Sequence, residues 1–239
     1  MADEGDGEVL GLAGFLRRPR ASAAGMFCPI VKRSARGRGL GGKLLRAARD
    51  LGAAKLGIEF ATAGIGTRNR AGYSLLTSHG FRPVRQHFLM RCDAEPLAVE
   101  LSAPEFELGP ARTADADAIL EIYRDCGFEE REPAAMLAAL DDGRHRHAVA
   151  RRGGSVVAFA ELETHWPQRV WVAYVGVIRE LRDRGVGSSL VSWALARHFE
   201  AGGRAALLLL SPANRSALRA YEKVGFRRYR LIDVLESGI

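Results

Sequence analysis

Hydrophobic and polar residues follow one another along the chain in patterns that predict strands and helices in turn. Period-two stretches predict strands, apolar residues at helical spacing predict helices, and the unbroken apolar run 205–210 predicts a strand covered on both faces. After residue 105 the predicted elements are strand 106–113, a helix capped at 113–115 and extending to 123, helix 133–140, strands 147–151, 156–163 and 170–177, helix 188–199, strand 205–210, helix 216–224 and strand 229–235.

Two short motifs occur twice in the chain at almost the same separation. The segment Arg36–Gly41 (RGRGLG) recurs 146 residues later as Arg182–Gly187 (RDRGVG). An Asn-Arg pair, followed eleven residues later by Gly-Phe, begins at Asn69 and again at Asn214, 145 residues apart. Two motifs that share one offset indicate that the chain contains two copies of one unit.

The two copies differ in length. When the predicted layout is moved back by about 145 residues, its beginning falls before residue 1. The first copy is therefore expected to start at a strand over 8–15, without its opening strand and first two helices. We predict a partial unit at 1–93, a linker at 94–105 and a complete unit at 106–239.

The composition is that of a globular protein, with 47% hydrophobic and 26% charged residues. No apolar run reaches the roughly 20 residues that a membrane helix needs, and the acidic first residues do not resemble a signal peptide. The three cysteines are widely spaced, which is typical of buried thiols in a reducing compartment. We therefore expect a cytoplasmic protein with no membrane partner.

The net charge of +7 lies in the first part of the chain. Residues 1–98 contain 16 Lys and Arg against 8 Asp and Glu, whereas the remainder contains 19 against 20. A phosphorylated cofactor, a nucleic acid or a solvated basic face would each account for this excess. Nucleic acid is disfavoured because few aromatic residues lie among these arginines and no binding motif is present.

The glycine-rich loop of the first copy also fits two other phosphate-binding patterns. Residues 37–42 match G-x-G-x-x-G, with Glu59 twenty residues past Gly39, and 37–43 match a P-loop except that Leu44 occupies the Ser/Thr position. The second copy excludes both patterns, because Ser188 replaces the third glycine and no lysine follows. Only R-x-x-G-x-G is common to the copies, each time between a predicted strand and a predicted helix.

This shared segment suits a phosphate group for a physical reason. A helix N-terminus has unpaired N–H groups and a partial positive charge, both of which favour phosphate oxygens. The glycines allow the backbone to curl around a pyrophosphate, and the arginine adds a charged donor. The sequence therefore predicts a phosphorylated ligand at Arg182–Gly187.

Further motifs follow the second loop in a fixed order. After Val175–Val177 and the loop come Asn214–Ala217 and the segment Tyr221–Phe226 (YEKVGF). This combination resembles the GNAT superfamily of acyl-CoA N-acyltransferases, over nearly all of 106–239 and, for the later half of the fold, over 8–92. The resemblance implies an α/β fold whose mixed sheet opens into a V, in two GNAT-like units of which the first lacks its N-terminal strand and helices. It also implies acetyl-CoA as co-substrate and direct attack by a primary amine in a ternary complex.

The resemblance also implies roles for individual residues. The loop N–H groups would bind the pyrophosphate, strand 175–177 the pantetheine arm, and Asn214 the cofactor, while Tyr221 would protonate the leaving thiolate. Tyr221 also fits an aromatic residue at a helix interface. The expected cofactor-binding residues are Val175, Gly176, Val177, Arg182, Asp183, Arg184, Gly185, Val186, Gly187 and Asn214, with Arg36, Gly37, Arg38, Gly39 and Gly41 in the loop of the first copy.

A general base must take a proton from the attacking amine. Glu161 and Glu163 lie on the predicted strand 156–163 and are candidates, although both also fit solvent-facing strand positions. His165 and the pair His145/His147 are further candidates. A His-x-His pair without other ligands is a poor metal signal, so we predict no metal.

The first copy lacks both proton-transfer groups. Leu76 occupies the position of Tyr221, and Gly14 that of Glu161. We therefore predict that residues 106–239 catalyse, and that the first copy is structural or an inactive CoA-binding relic.

The acceptor is indicated only by one loop. In the family, the connection between the first two helices lines the acceptor pocket, and here it reads Phe128–Glu132 (FEERE). Its acidity favours a cationic amine on a small molecule or peptide. Two other functions stay open: a non-catalytic acyl-CoA-binding sensor, and a nucleic-acid-binding protein that uses the basic first half.

Overall fold

The computed structural model describes residues 2–3, 7–17, 23–93, 95–100, 105–128, 131–166 and 168–238. The chain forms two compact units. The first consists of Met1–Phe88 together with Arg230–Ile239, and the second is Leu89–Tyr229.

The first unit is a sheet with two helices. Its elements are β1 (Ala2–Asp3), β2 (Val9–Arg17), β3 (Ala23–Val31), a 3-10 helix (Arg33–Ala35), α1 (Leu40–Leu56), β4 (Phe60–Gly66), α2 (Arg70–Thr77) and the beginning of β5 (Arg82–Cys92). The end of the last strand of the chain, β11 (Arg227–Gly238), completes it, in the order β1-β2-β3-β4-β11. β2 and β3 are antiparallel, and β3 and β4 are parallel.

The second unit contains a complete mixed sheet. Its elements are β6 (Phe106–Pro110), a 3-10 helix (Thr113–Asp115), α3 (Ala116–Asp125), α4 (Pro133–Asp141), β7 (His145–Arg152), β8 (Ser155–Trp166), β9 (Arg169–Val177), a 3-10 helix (Arg179–Leu181), α5 (Val186–Glu200), β10 (Ala205–Leu210) and α6 (Arg215–Lys223). The strand order is β5-β10-β9-β8-β7-β6. β6 to β9 are antiparallel neighbours, whereas β9 and β10 are parallel. The predicted α/β fold with a mixed sheet is confirmed.

One predicted strand is shorter than expected. Strand 106–113 ends at Pro110, because Thr113–Asp115 form a 3-10 turn in which the Asp115 carboxylate accepts a hydrogen bond from the Arg112 N–H at 2.6 Å. The predicted cap therefore begins the helical segment, and does not extend the strand.

The last strand of each copy, β5 or β11, is divided between the two units. Residues 232–238 of β11 pair antiparallel with β4, from Ile232 opposite Gly66 to Gly238 opposite Phe60. In the second unit the neighbour of β10 is β5. The compact units thus differ from the ranges 1–93 and 106–239, since 89–93 lie in the second unit and 230–239 in the first.

The strands beside each glycine loop separate after a short stretch of pairing. β9 pairs with β10 over Arg169–Trp171 and Ala205–Leu207, although both strands, described over their whole lengths, continue beyond this stretch. The register between β8 and β9 also shifts after the pair Glu161–Tyr174. This separation opens the sheet at the carboxyl end of β9, where the resemblance places the cofactor.

Helices α3 and α4 cover one face of the second sheet. Their buried residues, among them Ile119, Tyr123 and Met136, pack on Val149 and Phe159.

Gly176 shows how closely α3 approaches the sheet. A Cβ atom at this position would lie 2.5 Å from the Phe159 ring and 2.8 Å from Ile122 Cγ2. The glycine thus permits α3 to pack tightly against β9, which fixes the wall of the site described next.

Candidate functional site

The glycine loop of the second unit leads directly into α5. Gly185 is the N-cap residue, with a left-handed φ of 82°, and no side chain caps the first turn. In the first unit Gly39 precedes α1 with a φ of 75° and likewise no side-chain cap. Both helices therefore present first-turn N–H groups that are available to an anion.

The arginine that begins each motif has a structural role that the sequence did not indicate. Arg182 donates from Nε to the Val177 carbonyl at 2.9 Å, and Arg36 donates from Nε to the Val31 carbonyl at 3.0 Å. Arg182 also donates from Nη2 to Asp125 Oδ2 at 2.6 Å. Its guanidinium group thus closes the loop onto the preceding strand, and its role as a charged donor for phosphate stays a prediction.

Asp183 has an uncommon backbone conformation. Its φ of 60° is left-handed, like the φ of 79° at the matching Gly37. The Asp183 carboxylate accepts a hydrogen bond from the Ser216 hydroxyl on α6. Through this bond the strained loop is linked to the helix that carries Tyr221.

The two repeated asparagines cap helices. Asn214 Oδ1 accepts from the Ala217 N–H at 3.1 Å, and Asn69 Oδ1 accepts from the Gly72 N–H at 3.0 Å. Capping explains why asparagine occurs at both positions. A contact of Asn214 with a cofactor, as predicted, would have to use the amide nitrogen.

A cavity of about 570 Å³ lies in the second unit between the loop, α5 and α6. Seven of the residues predicted to bind cofactor or to catalyse line it: Val175, Arg182, Asp183, Gly185, Gly187, Asn214 and Tyr221. Burial raises the pKa of Tyr221 to about 12. The phenol therefore keeps its proton at neutral pH and can act as an acid.

Glu161 lies in a buried cluster on the α3 face of the sheet. Its side chain has no exposed surface and accepts a hydrogen bond from the Tyr123 hydroxyl. Arg131 Nη2 lies 3.1 Å from Oε1, and His145 Nδ1 3.2 Å from the same atom. His147 Nε2, itself buried, lies 3.4 Å from Oε2.

These contacts determine the charge of Glu161. Burial alone would raise the pKa of its carboxyl group, but the contacts with His147 and Tyr123 and the charge of Arg131 lower it to about 2. In Tyr123, burial and the neighbouring carboxylate raise the pKa of the hydroxyl group, so this residue stays a donor. Glu161 is thus a carboxylate held ionised by its neighbours.

Glu163, the second predicted base, lies two residues further along β8. It is half-buried, and its backbone pairs with His145 on one side and Trp171 on the other. Atoms of His145, Glu161 and Glu163 that could bind a metal lie within 4.8 Å of one another. The Arg131 guanidinium beside Glu161 would repel a cation there, and the absence of a metal stays a prediction. Of His165 only the backbone, in β8, is described.

The predicted acceptor loop is described only in part. Glu129 and Glu130 lie outside the described residues. Phe128 packs against Tyr123 and Tyr174, with ring centroids 5.5 and 5.1 Å away. Arg131 lies over the Tyr123 ring, 5.2 Å from its centroid. The described part of the loop therefore supplies a cation to the Glu161 cluster.

Sequence reasoning missed Tyr123, Arg131 and Tyr174 as members of this cluster. Tyr123 fits the apolar pattern of the predicted helix that extends to 123, and it does belong to the core, with 2% of its surface exposed. Tyr174 lies opposite Glu161 on β9. The contact between a helix tyrosine and a buried strand glutamate can be predicted only when the register between the two elements is known.

Comparison with known families agrees with this geometry. The model described as "Acetyltransferase (GNAT) family" matches residues 1–81 and 116–226. The chain belongs to this family. The predicted GNAT assignment, and with it acetyltransferase activity, is confirmed, and acetyl-CoA is the co-substrate that GNAT enzymes generally use.

Individual relatives support the tandem arrangement. A mycothiol acetyltransferase from Thermobispora bispora is 28% identical over 232 residues, which cover 86% of this chain and 73% of the relative. A GCN5-related N-acetyltransferase from Sphaerobacter thermophilus superposes with a TM-score of 0.81 at 21% identity, over 98% of this chain and 78% of that one. A tandem GNAT protein from the clavulanic acid biosynthesis pathway gives 0.73 at 18% identity, over 92% and 76%. Among the described residues of this GNAT protein, no helix has the length and apolar character to cross a membrane.

Proposed function

We propose that the second unit transfers the acetyl group of acetyl-CoA to a primary amine, by direct attack in a ternary complex. The cavity beside the opened sheet carries this proposal, because it brings the glycine loop, the β9 edge and Tyr221 together. Bound acetyl-CoA would supply the activated thioester. Residues of the chain would bind the cofactor and move the protons.

The residues that line the cavity fit this cofactor. The first-turn N–H groups of α5 face an anion site, and a Cβ at Gly185 would meet no atom within 4 Å, which indicates open space at the loop. We propose that the loop N–H groups bind the pyrophosphate and that the backbone of Val175–Val177 pairs with the pantetheine arm. Asn214 would donate from its amide nitrogen.

Tyr221 is proposed as the acid that protonates the departing thiolate. It lines the same cavity as the loop, and its raised pKa keeps the proton available. Its ring packs edge-on against Phe226, with centroids 5.6 Å apart, which holds the hydroxyl group in place.

Glu161 is proposed to act through His145, which would receive the proton of the attacking amine. Its backbone lies opposite Tyr174 on the strand that lines the cofactor site. Because the carboxylate has no exposed surface, a partly exposed neighbour must connect it to the acceptor. His145, 24% exposed and 3.2 Å from Oε1, has that position. The ionised carboxylate would orient the imidazole ring and stabilise its protonated form.

The acceptor is proposed to be a small cationic amine or an amine on a peptide. The sequence of the loop that precedes α4 is acidic, which favours a positive acceptor. The name of the mycothiol acetyltransferase relative makes the unacetylated precursor of mycothiol a reasonable member of the test panel.

The function can be tested by following acetyl-CoA consumption with a panel of amines. The panel should contain polyamines, aminoglycosides, the mycothiol precursor, peptides with a free N-terminus, and neutral and anionic amines. We expect turnover with cationic members. Acetyl-CoA binding without acetylation of any amine would indicate a sensor, and equal turnover of anionic amines would refute the proposed acceptor class.

Replacing Gly185 by alanine is expected to weaken acetyl-CoA binding by about tenfold or more. A side chain at a left-handed φ costs roughly 1–2 kcal/mol, so the loop would relax away from the conformation that presents its N–H groups. Isothermal titration measures the affinity. Gly202→Ala is the matched control, because Gly202 has a φ of 85° and similar open space but lies beyond the end of α5. Equal loss of affinity in both variants would contradict the assigned role of the loop.

A further inference from the structure

The first unit retains the loop and cap that define the cofactor site of the second. Gly39 and Gly185 have nearly the same φ, and Asn69 and Asn214 cap the helices that follow. The loop alone would therefore suggest a second coenzyme A site. The side chains that pack beside this loop argue against a second site.

Leu75 occupies the part of the first unit that corresponds to the cavity. It lies six residues after Asn69, as Ala220 lies six after Asn214, and Ala220 lines the cavity of the second unit. Leu75 Cδ2 is only 3.1 Å from the place where a Cβ on Gly41 would be. A leucine side chain thus contacts the first turn of α1, where the second unit has a methyl group and open space.

His79 lies just after the end of α2 and packs against the next turn of α1. Its Nε2 lies 3.2 Å from the place of a Cβ on Gly42, and 3.1 Å from Arg46 Nη1. Its Nδ1 lies 2.9 Å from the Leu75 carbonyl oxygen. The corresponding residue of the second copy is Val224.

Arginines on α1 hold this arrangement in place. Arg49 donates from Nη1 to the His79 carbonyl at 2.6 Å and from Nη2 to the Gly238 carbonyl at 2.7 Å. In the second copy the position of Arg46 is Ser192, whose hydroxyl donates to the Leu97 carbonyl at 2.5 Å. The contacts that pack the end of α2 against α1 therefore belong to the first copy.

We propose that the first unit holds no coenzyme A, because Leu75 fills the groove that pantetheine is proposed to occupy in the second. The chain accordingly has one cofactor site. This inference rests on the proposed function, since the cavity of the second unit defines the groove. The reacting groups agree with it, because the fully buried Leu76 replaces Tyr221.

Counting acetyl-CoA sites by isothermal titration tests the inference. We expect one site per wild-type chain. Ala220→Leu, which places the leucine of the first copy in the second, should abolish binding altogether. Two sites in the wild type would show that the first unit binds the cofactor, and one remaining site in Ala220→Leu would show that a leucine at this position does not close the groove; either result would overturn the proposal.

The reverse substitutions should open the first groove. Leu75→Ala with His79→Val copies Ala220 and Val224, and should add one acetyl-CoA site relative to the parent chain, with weaker affinity. A folded double variant with no added site would refute the role of Leu75. If the wild type bound no acetyl-CoA, the proposed function would fail, whereas a gain of one site in the double variant would still support the closed groove. The wild type and Ala220→Leu keep the test decisive if the double variant does not fold.

Discussion

Glu161→Gln is expected to lower kcat/KM for acetyl transfer by about 10²- to 10⁴-fold, the range that proton transfer by a positioned group contributes. Glutamine has nearly the same shape but no charge, so it cannot stabilise a protonated His145. Steady-state kinetics with the best acceptor measures the effect. The KM for acetyl-CoA should change little, because the carboxylate lies on the α3 face of the sheet, under Tyr123 and Arg131.

Two further variants make this expectation specific. Glu121→Gln removes an exposed carboxylate on α3 and should leave the rate unchanged. Glu163→Gln distinguishes the two candidate bases. A large loss in Glu163→Gln together with full activity in Glu161→Gln would transfer the role to Glu163.

The same substitution should change how stability depends on pH. The pKa of Glu161 is lowered to about 2 in the folded protein, against roughly 4.3 for a free glutamate side chain. A lowered pKa stabilises the fold above the unfolded value and loses that effect as the pH falls toward 2. Wild type should therefore lose about 2–3 kcal/mol more than Glu161→Gln between pH 5 and pH 2. Urea unfolding across this interval measures the difference, and parallel curves for the two proteins would count against it.

Tyr221→Phe is expected to lower kcat by about 10²-fold or more while acetyl-CoA affinity stays within about twofold, since an acid contributes to the transition state and not to ground-state binding. The ring and its contact with Phe226 are kept, so the fold should be unaffected. Single-turnover kinetics and isothermal titration separate the two quantities.

Tyr73→Phe is the matched control for this prediction. Tyr73 lies on α2, the first-unit counterpart of the helix that carries Tyr221, but one turn before the matching position. Its substitution should leave kcat unchanged. Because burial raises the pKa of Tyr221 to about 12, no loss of activity from this group is expected between pH 6 and pH 10. An unaltered kcat in Tyr221→Phe would require a different acid.

The loops and caps could be predicted from sequence because their causes are local. A glycine at a left-handed φ, an asparagine at the start of a helix and a strand before the loop depend on neighbours a few residues away. The repeat then showed that this arrangement of strand, loop and capped helix occurs twice. The role of Arg182 could not be seen in this way, because its partners include Asp125, which lies 57 residues earlier in the chain.

The environment of Glu161 shows where sequence reasoning stops. Alternation along β8 placed the residue on one face of a strand, but a solvent-facing position and a buried one give the same pattern. Only the packing of α3 and the contact of Arg131 with the carboxylate decide that this group is buried, ionised and surrounded by donors.

By itself the sequence determined the two copies, their family, the glycine loops and the asymmetry between Tyr221 and Leu76, because each depends on residue types at fixed spacing. The tertiary structure alone decided that β11 pairs with β4 and that β5 lies beside β10, because β5 and β11 are repeats of one another and carry the same local signals. It also decided that Leu75 lies against Gly41 while Ala220 lines a cavity. Such contacts join residues far apart in the chain, and no local pattern encodes their distance.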